Sequence, residues 1–119
     1  MKNGSVGQDN ISSEERALAI LDDPLEDQLL REKAVRYLSY RPGHRVIQKL
    51  VQTLEDEDFG VRFEAAVALT QMGEKALPEL LKALTDAKTV SDPRLREGAY
   101  YVLHYNRSSF PAVSVTKLI

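Results

Sequence analysis

A twelve-residue block that occurs three times decides the fold. In the middle of the chain, residues 58–69 read DFGVRFEAAVAL. Residues 27–38 read DQLLREKAVRYL, and residues 92–103 read DPRLREGAYYVL. The three copies share an aspartate, an aliphatic residue, an arginine, an alanine and a leucine at the same five offsets. This pattern predicts a chain built from three repeated structural units.

A second apolar segment precedes each copy of the block. Residues 17–21 read ALAIL, residues 46–54 read VIQKLVQTL, and residues 76–84 read ALPELLKAL. Their apolar residues follow the i, i+3, i+4, i+7 spacing of a helix with one buried stripe. An acidic turn then leads from this first helix (A) to the helix of the repeated block (B). Helices are expected near residues 12–22, 28–41, 44–55, 59–72, 75–86 and 94–106.

Residues at the ends of these segments are typical of helix boundaries. Ser12 and Glu15 match a capping box at the first helix, and the aspartate that opens each block is expected to cap its B helix. Pro42-Gly43 and Gly73 are expected to end B helices, with glycine in the left-handed conformation. No stretch alternates with period two for long enough to predict a strand. The expected fold class is all-α.

The repeats divide the chain into three parts. Residues 1–11 are polar, and we expect a disordered tail there. The repeat domain is expected at residues 12–106, with units at about 12–42, 43–73 and 74–106. Residues 107–119 are expected to form a linker and a partial fourth repeat or C-terminal cap. The apolar residues of this end would cover the third unit or recruit another chain, so self-association is a prediction; they are Val113, Val115, Leu118 and Ile119.

Composition excludes several classes of protein. The chain of 119 residues has a formal net charge of -2 and no cysteine, which rules out disulfides, thiolate zinc sites and thiol nucleophiles. No apolar run approaches the roughly 20 residues of a membrane helix. Residues 1–10 lack the apolar block of a secretion signal. A cytoplasmic location is therefore expected.

The repeated pattern Asp-x-x-x-Arg-x-x-Ala-x-x-x-Leu resembles the HEAT-repeat family, in its short HEAT-like branch associated with phycobilisome lyases. The resemblance covers roughly residues 13–106. It implies a right-handed α-solenoid of about three helical hairpins, with the B helices on the concave side. It also implies a ladder of acidic and arginine side chains between neighbouring units, which would satisfy polar helix ends there. The matching positions are Asp27, Arg31, Asp58, Arg62, Asp92 and Arg96.

The sequence offers little for catalysis. Some HEAT-like enzymes hold a di-iron centre with His-Glu dipeptides, but His44 precedes Arg45 and His104 precedes Tyr105. The acidic run at residues 55–58 is interpreted as a solvated turn whose carboxyl pKa values are not separated by burial. We expect no enzyme activity, no metal and no cofactor.

A basic cluster raises an alternative function. It contains Arg31, Lys33, Arg36, Arg41, Arg45 and Lys49. An excess of positive charge of this kind could hold phosphates, so weak nucleic-acid binding is one alternative. The predicted ladder uses Arg31, however, and a hairpin spreads the other cations over two faces. Nucleic acid is therefore not the favoured partner.

A row on the outer face of the B helices is the favoured binding surface. Counted from each block arginine, offsets +1 and +5 lie away from the Ala/Leu stripe and combine apolar, tyrosine and charged residues. Such a surface, with an apolar centre and a polar rim, is typical of protein interfaces. The competing interpretation is that Phe63 and Val67 pack against adjacent helices. The predicted partner-binding residues are Arg36, Tyr40, Phe63, Val67, Glu97, Tyr101 and Tyr105.

The sequence therefore predicts a non-enzymatic scaffold module that binds a protein or peptide on its concave B-helix face. The resemblance adds a further alternative, a bilin lyase or chromophore chaperone.

Overall fold

The computed structural model describes residues 11–86 and 92–106. Within these ranges it contains helices and no strand, which confirms the all-α prediction. The helices are α1 (Glu14–Asp22), α2 (Gln28–Leu38), α3 (His44–Thr53), α4 (Phe59–Met72), α5 (Leu77–Thr85) and α6 (Pro93–Tyr105). A short 3-10 helix, Gly73–Ala76, joins α4 directly to α5. The predictions for residues 1–10 and 107–119 lie outside the described residues.

The six helices form three hairpins in two layers. The A helices are α1, α3 and α5, and the B helices are α2, α4 and α6. Each B helix packs against the next B helix, and each A helix against the next A helix. Contacts between the layers, such as those of α1 with α2 and α3 with α4, complete the stack. This arrangement is the predicted α-solenoid.

The three apolar offsets of the repeated block face the core, whereas the aspartates lie at helix starts and the arginines range from buried Arg31 to exposed Arg96. The alanine of each copy is essentially fully buried, at Ala34, Ala65 and Ala99. The leucine that ends each copy is also buried, as Leu38 and Leu69 are without measurable exposure. Small and aliphatic side chains at fixed spacing allow each B helix to approach its neighbours closely. The repeat in the sequence is thus a repeat of core positions.

Side-chain caps begin three of the six described helices. Asp27 accepts a hydrogen bond from the Leu30 amide at 3.1 Å, as predicted for a B-helix cap. Asp92 likewise accepts from the backbone amide at the start of α6. Asp58 occupies the N-cap position of α4 but makes no side-chain hydrogen bond there, so the predicted aspartate cap was wrong for that helix. The cap of α1 is Ser13, which accepts from the Arg16 amide at 3.0 Å. The prediction of Ser12 was wrong by one residue, because α1 begins at residue 14 and the cap is the residue directly before it.

Glycine plays different roles after the first two B helices. Gly73 ends α4 with φ of 65°, which confirms the predicted left-handed terminator. The same prediction was wrong for Gly43, whose φ is -80° and which is the extended N-cap of α3. Helix α2 already ends at Leu38, and the Ser39 hydroxyl donates to a carbonyl of its last turn. Residues 40–43 are therefore a linker between units.

Candidate functional site

A groove lies between the B helices α4 and α6. It has a volume of about 250 Å³. Its floor contains small or aliphatic residues, and its walls carry aromatic and charged side chains. We call it the aromatic groove; its lining residues are Leu54, Phe59, Arg62, Phe63, Ala66, Arg94, Glu97, Gly98 and Tyr101.

A close helix contact forms the floor of the aromatic groove. Gly98 of α6 faces Leu54, and a β-carbon built on Gly98 would lie only 2.9 Å from the Leu54 Cδ2 atom. Leu54 itself is 1% exposed, so it has little freedom to move aside. Glycine is thus the residue that lets α6 approach Leu54 at this point.

Aromatic side chains run from α4 to α6 across the groove. Phe59 stacks on Phe63 at a centroid distance of 6.1 Å, and Phe63 meets the edge of Tyr101 at 6.0 Å. Tyr101 continues to Tyr105 at 4.9 Å. Phe59 is 70% exposed, Phe63 46% and Tyr105 57%. Large apolar side chains that remain exposed in a contiguous patch are typical of binding surfaces.

Two guanidinium groups and one carboxylate border the aromatic rings. The Arg62 guanidinium lies 5.5 Å from the Phe59 ring centre and donates to the backbone carbonyl of Asp56 at 2.7 Å. Arg94 lies 3.6 Å from the carboxylate of Asp92. Glu97, on the same helix as Arg94, is exposed at the edge of the groove. The groove is therefore apolar at its centre and charged at its rim.

A smaller groove lies between α2 and α4. Its volume is about 130 Å³, and Arg36 crosses it to bond the Glu64 carboxylate at 2.7 Å. Tyr40 stands at its edge, 84% exposed. We call it the polar groove; it is lined by Arg36, Ser39, Tyr40, Glu64, Val67, Ala68 and Gln71.

Six of the seven predicted partner-binding residues line these two grooves. Arg36, Tyr40 and Val67 lie in the polar groove, and Phe63, Glu97 and Tyr101 in the aromatic groove. Tyr105 contacts the Tyr101 ring. Val67 is half-buried rather than fully exposed.

The sequence analysis missed Phe59, Arg62 and Arg94 as groove residues. Phe59 precedes Phe63 by four residues, the spacing that places two side chains on one face of a helix, so the signal was present. Arg62 had been assigned only to the ladder. The approach of α6 that brings Arg94 to the groove depends on the contact of Gly98 with Leu54, which spacing along one helix does not reveal.

Arg31 connects the first hairpin to the second. Its guanidinium is only 5% exposed and donates to both carboxylate oxygens of Asp56, at 2.9 and 2.7 Å. It also donates to the Leu21 carbonyl at the end of α1, at 2.9 Å, and lies 3.5 Å from the Asp58 carboxylate. Asp27, the residue predicted beside it in the ladder, caps α2. The principal acid at this seam is therefore Asp56.

The two acids at the start of the second turn have opposite pKa shifts. Burial acts to raise the pKa of Asp56, but hydrogen bonds from Arg31 and from the Asp58 amide outweigh it and lower the pKa. Burial and the neighbouring Asp92 carboxyl raise the pKa of Glu55. The interpretation of this run as a solvated turn without separated pKa values was therefore wrong. The neighbouring hairpins on both sides are the cause, because Arg31 of the first acts on Asp56 and Asp92 of the third acts on Glu55, and the run itself does not reveal these contacts.

The other arginines of the predicted ladder have different surroundings. Arg62 donates to backbone carbonyls of its own turn, at 2.7 Å to Asp56 and 3.0 Å to Glu57. Position 56 corresponds to residues 25 and 90 in the other two units, which are leucine and valine. An acid at this position thus occurs once in the three repeats. Arg96 is exposed on α6, and its role in a ladder stays a prediction.

Comparison with known proteins identifies the repeat. A family model described as HEAT repeats matches residues 14–104. The chain belongs to the HEAT-repeat family. Searches of curated proteins and of solved structures found no match. HEAT repeats generally mediate protein–protein interactions and generally act as non-enzymatic scaffolds.

Most cations of the basic cluster contact other residues of this HEAT-repeat stack. Arg45 forms a two-pronged pair with Glu15 at 2.6 and 3.1 Å, and Lys49 pairs with Asp22. Arg41 lies 4.4 Å above the ring of Tyr37. The Arg45 and Lys49 ion pairs join α3 to α1 and neutralise the positive charge of these two residues.

The described residues offer no metal centre. His44 lies 3.5 Å from the Glu79 carboxylate, and His104 lies between two tyrosine rings, 5.6 Å from Tyr100 and 4.6 Å from Tyr105. Within residues 11–86 and 92–106, no three histidine, cysteine or acidic residues come close enough to hold an ion. In the same ranges, no helix is both long and apolar enough to cross a membrane.

Proposed function

We propose that this HEAT-repeat protein binds a protein or peptide segment along its B-helix face, with the aromatic groove as the main contact. The observation that carries the proposal is the series of rings from exposed Phe59 and Phe63 to half-buried Tyr101, above a floor of small and aliphatic residues. Aromatic residues of this kind contribute most of the energy in protein interfaces. In a monomer they would otherwise keep a large apolar area in water.

The packing of the layers supports the choice of face. Adjacent B helices share more extensive contacts than adjacent A helices do. In this proposal the B-helix face is the concave one. A concave surface increases the area that an extended partner can bury.

The alternatives have less support. The aromatic groove, at about 250 Å³, is smaller than the ~300–1,000 Å³ typical of pockets for drug-sized molecules, which argues against a bilin there. The ion pairs of Arg45 and Lys49 reduce the charge available to a nucleic acid. No observation favours either alternative over a protein partner.

A paired substitution tests the proposal. The variant Phe63→Ala with Tyr101→Ala removes two walls of the groove, and Phe63 at 46% exposed contributes little to the core. We expect an unchanged far-UV circular dichroism spectrum and loss of the proteins that wild type captures from its native lysate. The control is Leu29→Ala, which removes a side chain that is 63% exposed and lines neither the aromatic groove nor the polar groove. Equal capture by the paired variant and wild type would refute the proposed surface.

A further inference from the structure

We propose that the segment bound on the B-helix face is an acidic peptide with one large apolar side chain. The apolar side chain enters the aromatic groove, and the peptide carboxylates lie over Arg36 of α2 and Arg41 of the linker that follows α2. This inference rests on the proposed function and adds the chemistry of the partner.

The shape and lining of the aromatic groove argue for a single apolar anchor. Its base is made of Leu54, Ala66 and Gly98, and the rings of Phe63 and Tyr101 meet edge to face above it. A phenylalanine, tryptophan or leucine side chain would be surrounded there by apolar atoms. Such anchors in a central pocket dominate the affinity of peptides and proteins.

Charge argues for acidic residues beside the anchor. A third groove, the basic groove, has a volume of about 380 Å³ and lies next to the polar groove. The basic and polar grooves share Arg36 and Tyr40. The basic groove is lined by Ile11, Lys33, Arg36, Tyr37, Tyr40 and Arg41, with no acidic residue among them.

The three grooves together differ in charge from the rest of the chain. Their lining includes five cationic residues, Lys33, Arg36, Arg41, Arg62 and Arg94. It includes two acidic residues, Glu64 and Glu97. The whole chain has a net charge of -2. A face that is basic on an acidic protein selects an acidic partner and repels a basic one.

Arg36 of α2 and Arg41 of the following linker retain donors for a ligand. Arg36 bonds Glu64 through Nη1 and is still 50% exposed, and a guanidinium has five N–H donors. The Arg41 guanidinium carbon lies 4.4 Å from the centre of the Tyr37 ring, a contact that does not use its N–H donors. Carboxylates accept from such groups in short, charge-assisted hydrogen bonds.

The Arg36–Glu64 bond also sets the order of the contacts. Glu64 and Phe63 are consecutive residues of α4 and point about 100° apart around the helix, so that Glu64 bonds Arg36 of α2 while Phe63 meets Tyr101 of α6. A short peptide that crosses α4 can therefore place an apolar residue in the aromatic groove and its acids over α2.

Selection from a random peptide library tests this chemistry. The full-length protein is immobilised and used to select from phage-displayed random dodecamers, and the enriched sequences are compared with the unselected library. We expect enrichment of aspartate and glutamate together with a large apolar residue. Synthetic copies of the enriched peptides should bind more weakly as salt rises, because salt screens the exposed charges.

Matched variants locate the binding. The variant Phe63→Ala should lower the affinity for the selected peptides by about tenfold or more. The double variant Arg36→Gln with Arg41→Gln should lower that affinity by a similar factor. Arg45→Gln removes an arginine from the A layer, where it pairs with Glu15, and should leave affinity within about twofold of wild type.

The possible failures separate the two proposals. Peptides that need Phe63 but are not enriched in acids would overturn the acidic partner and leave the binding surface in place. Peptides that do not depend on Phe63, or no enrichment over empty beads, would overturn both. Tighter binding of single-stranded oligothymidine than of the selected peptides would assign the basic groove to nucleic acid and also overturn the inference.

Discussion

The pair of Arg31 and Asp56 is expected to be a major contributor to stability, and replacement of Arg31 by methionine tests this. Methionine keeps most of the apolar length of the side chain but removes the guanidinium. The change leaves the Asp56 carboxylate, 15% exposed, without the two hydrogen bonds that Arg31 donates to it. The Leu21 carbonyl also loses the hydrogen bond that it accepts from Arg31.

The magnitude follows from the burial of the pair. Removing one partner of a buried ion pair costs about 3–5 kcal/mol. Asp56 retains some contact with water and a hydrogen bond from the Asp58 amide, so we expect about 3 kcal/mol, the lower end of that range. A domain of this size is stable by about 5–15 kcal/mol. The variant should therefore still fold, with much lower resistance to urea.

A second arginine provides the matched control. Arg45 also forms a two-pronged pair that joins neighbouring hairpins, but Arg45 and Glu15 are 60% and 73% exposed. Exposed pairs contribute little, so Arg45→Met should barely move the urea midpoint. Urea unfolding followed by circular dichroism at 222 nm measures both variants. If Arg31→Met shifts the midpoint no more than Arg45→Met, burial does not govern the strength of these pairs.

Three further predictions concern pH, packing and assembly. In the folded chain the pKa of Asp56 is below its ordinary value of 3.8. Its contribution to stability is therefore complete above pH 3.8 and is lost as pH falls through the lower folded pKa. Asp56→Asn should make the urea midpoint less dependent on pH across this range. Gly98→Ala should lower the urea midpoint by the equivalent of about 1 kcal/mol, since overpacking against Leu54 outweighs the gain in helix propensity; a raised midpoint would contradict this. The end face of the third hairpin exposes an apolar groove of about 490 Å³ that includes Tyr100 and Leu103, and we expect self-association through this end; Tyr100→Glu should weaken it in sedimentation equilibrium, whereas a monomeric wild type at high concentration would disprove it.

Much of the fold could be predicted because its signals are local. The helix periods, the aspartate caps and Gly73 each depend on residues close together in sequence. The predicted helix ends differ from the observed ones by up to three residues, as where α2 ends at Leu38 instead of near residue 41. There Ser39 and the linker to the next hairpin compete with the helix for backbone hydrogen bonds.

The site was predicted less completely because it depends on contacts between hairpins. Phe63 and Tyr101 could be placed on one face from their offsets in the repeat. Asp56 could not be assigned to Arg31, because 25 residues separate them and the other two units have no acid at the matching position. A repeat pattern emphasises what the units share, whereas this seam depends on a residue found in only one of them.

The two junctions between hairpins use different chemistry. The first contains the buried Arg31–Asp56 pair, and the second contains the contact of Gly98 with Leu54 and the aromatic ring of Tyr101. Acid protonates Asp56 and leaves the buried Arg31 charge without its carboxylate at the first junction, whereas cooling weakens the apolar contacts of the second. Amide hydrogen exchange in the opening hairpin should therefore respond mainly to acidity, and exchange in the final hairpin mainly to temperature. A three-hairpin stack with dissimilar junctions thus has two separate controls over its stiffness.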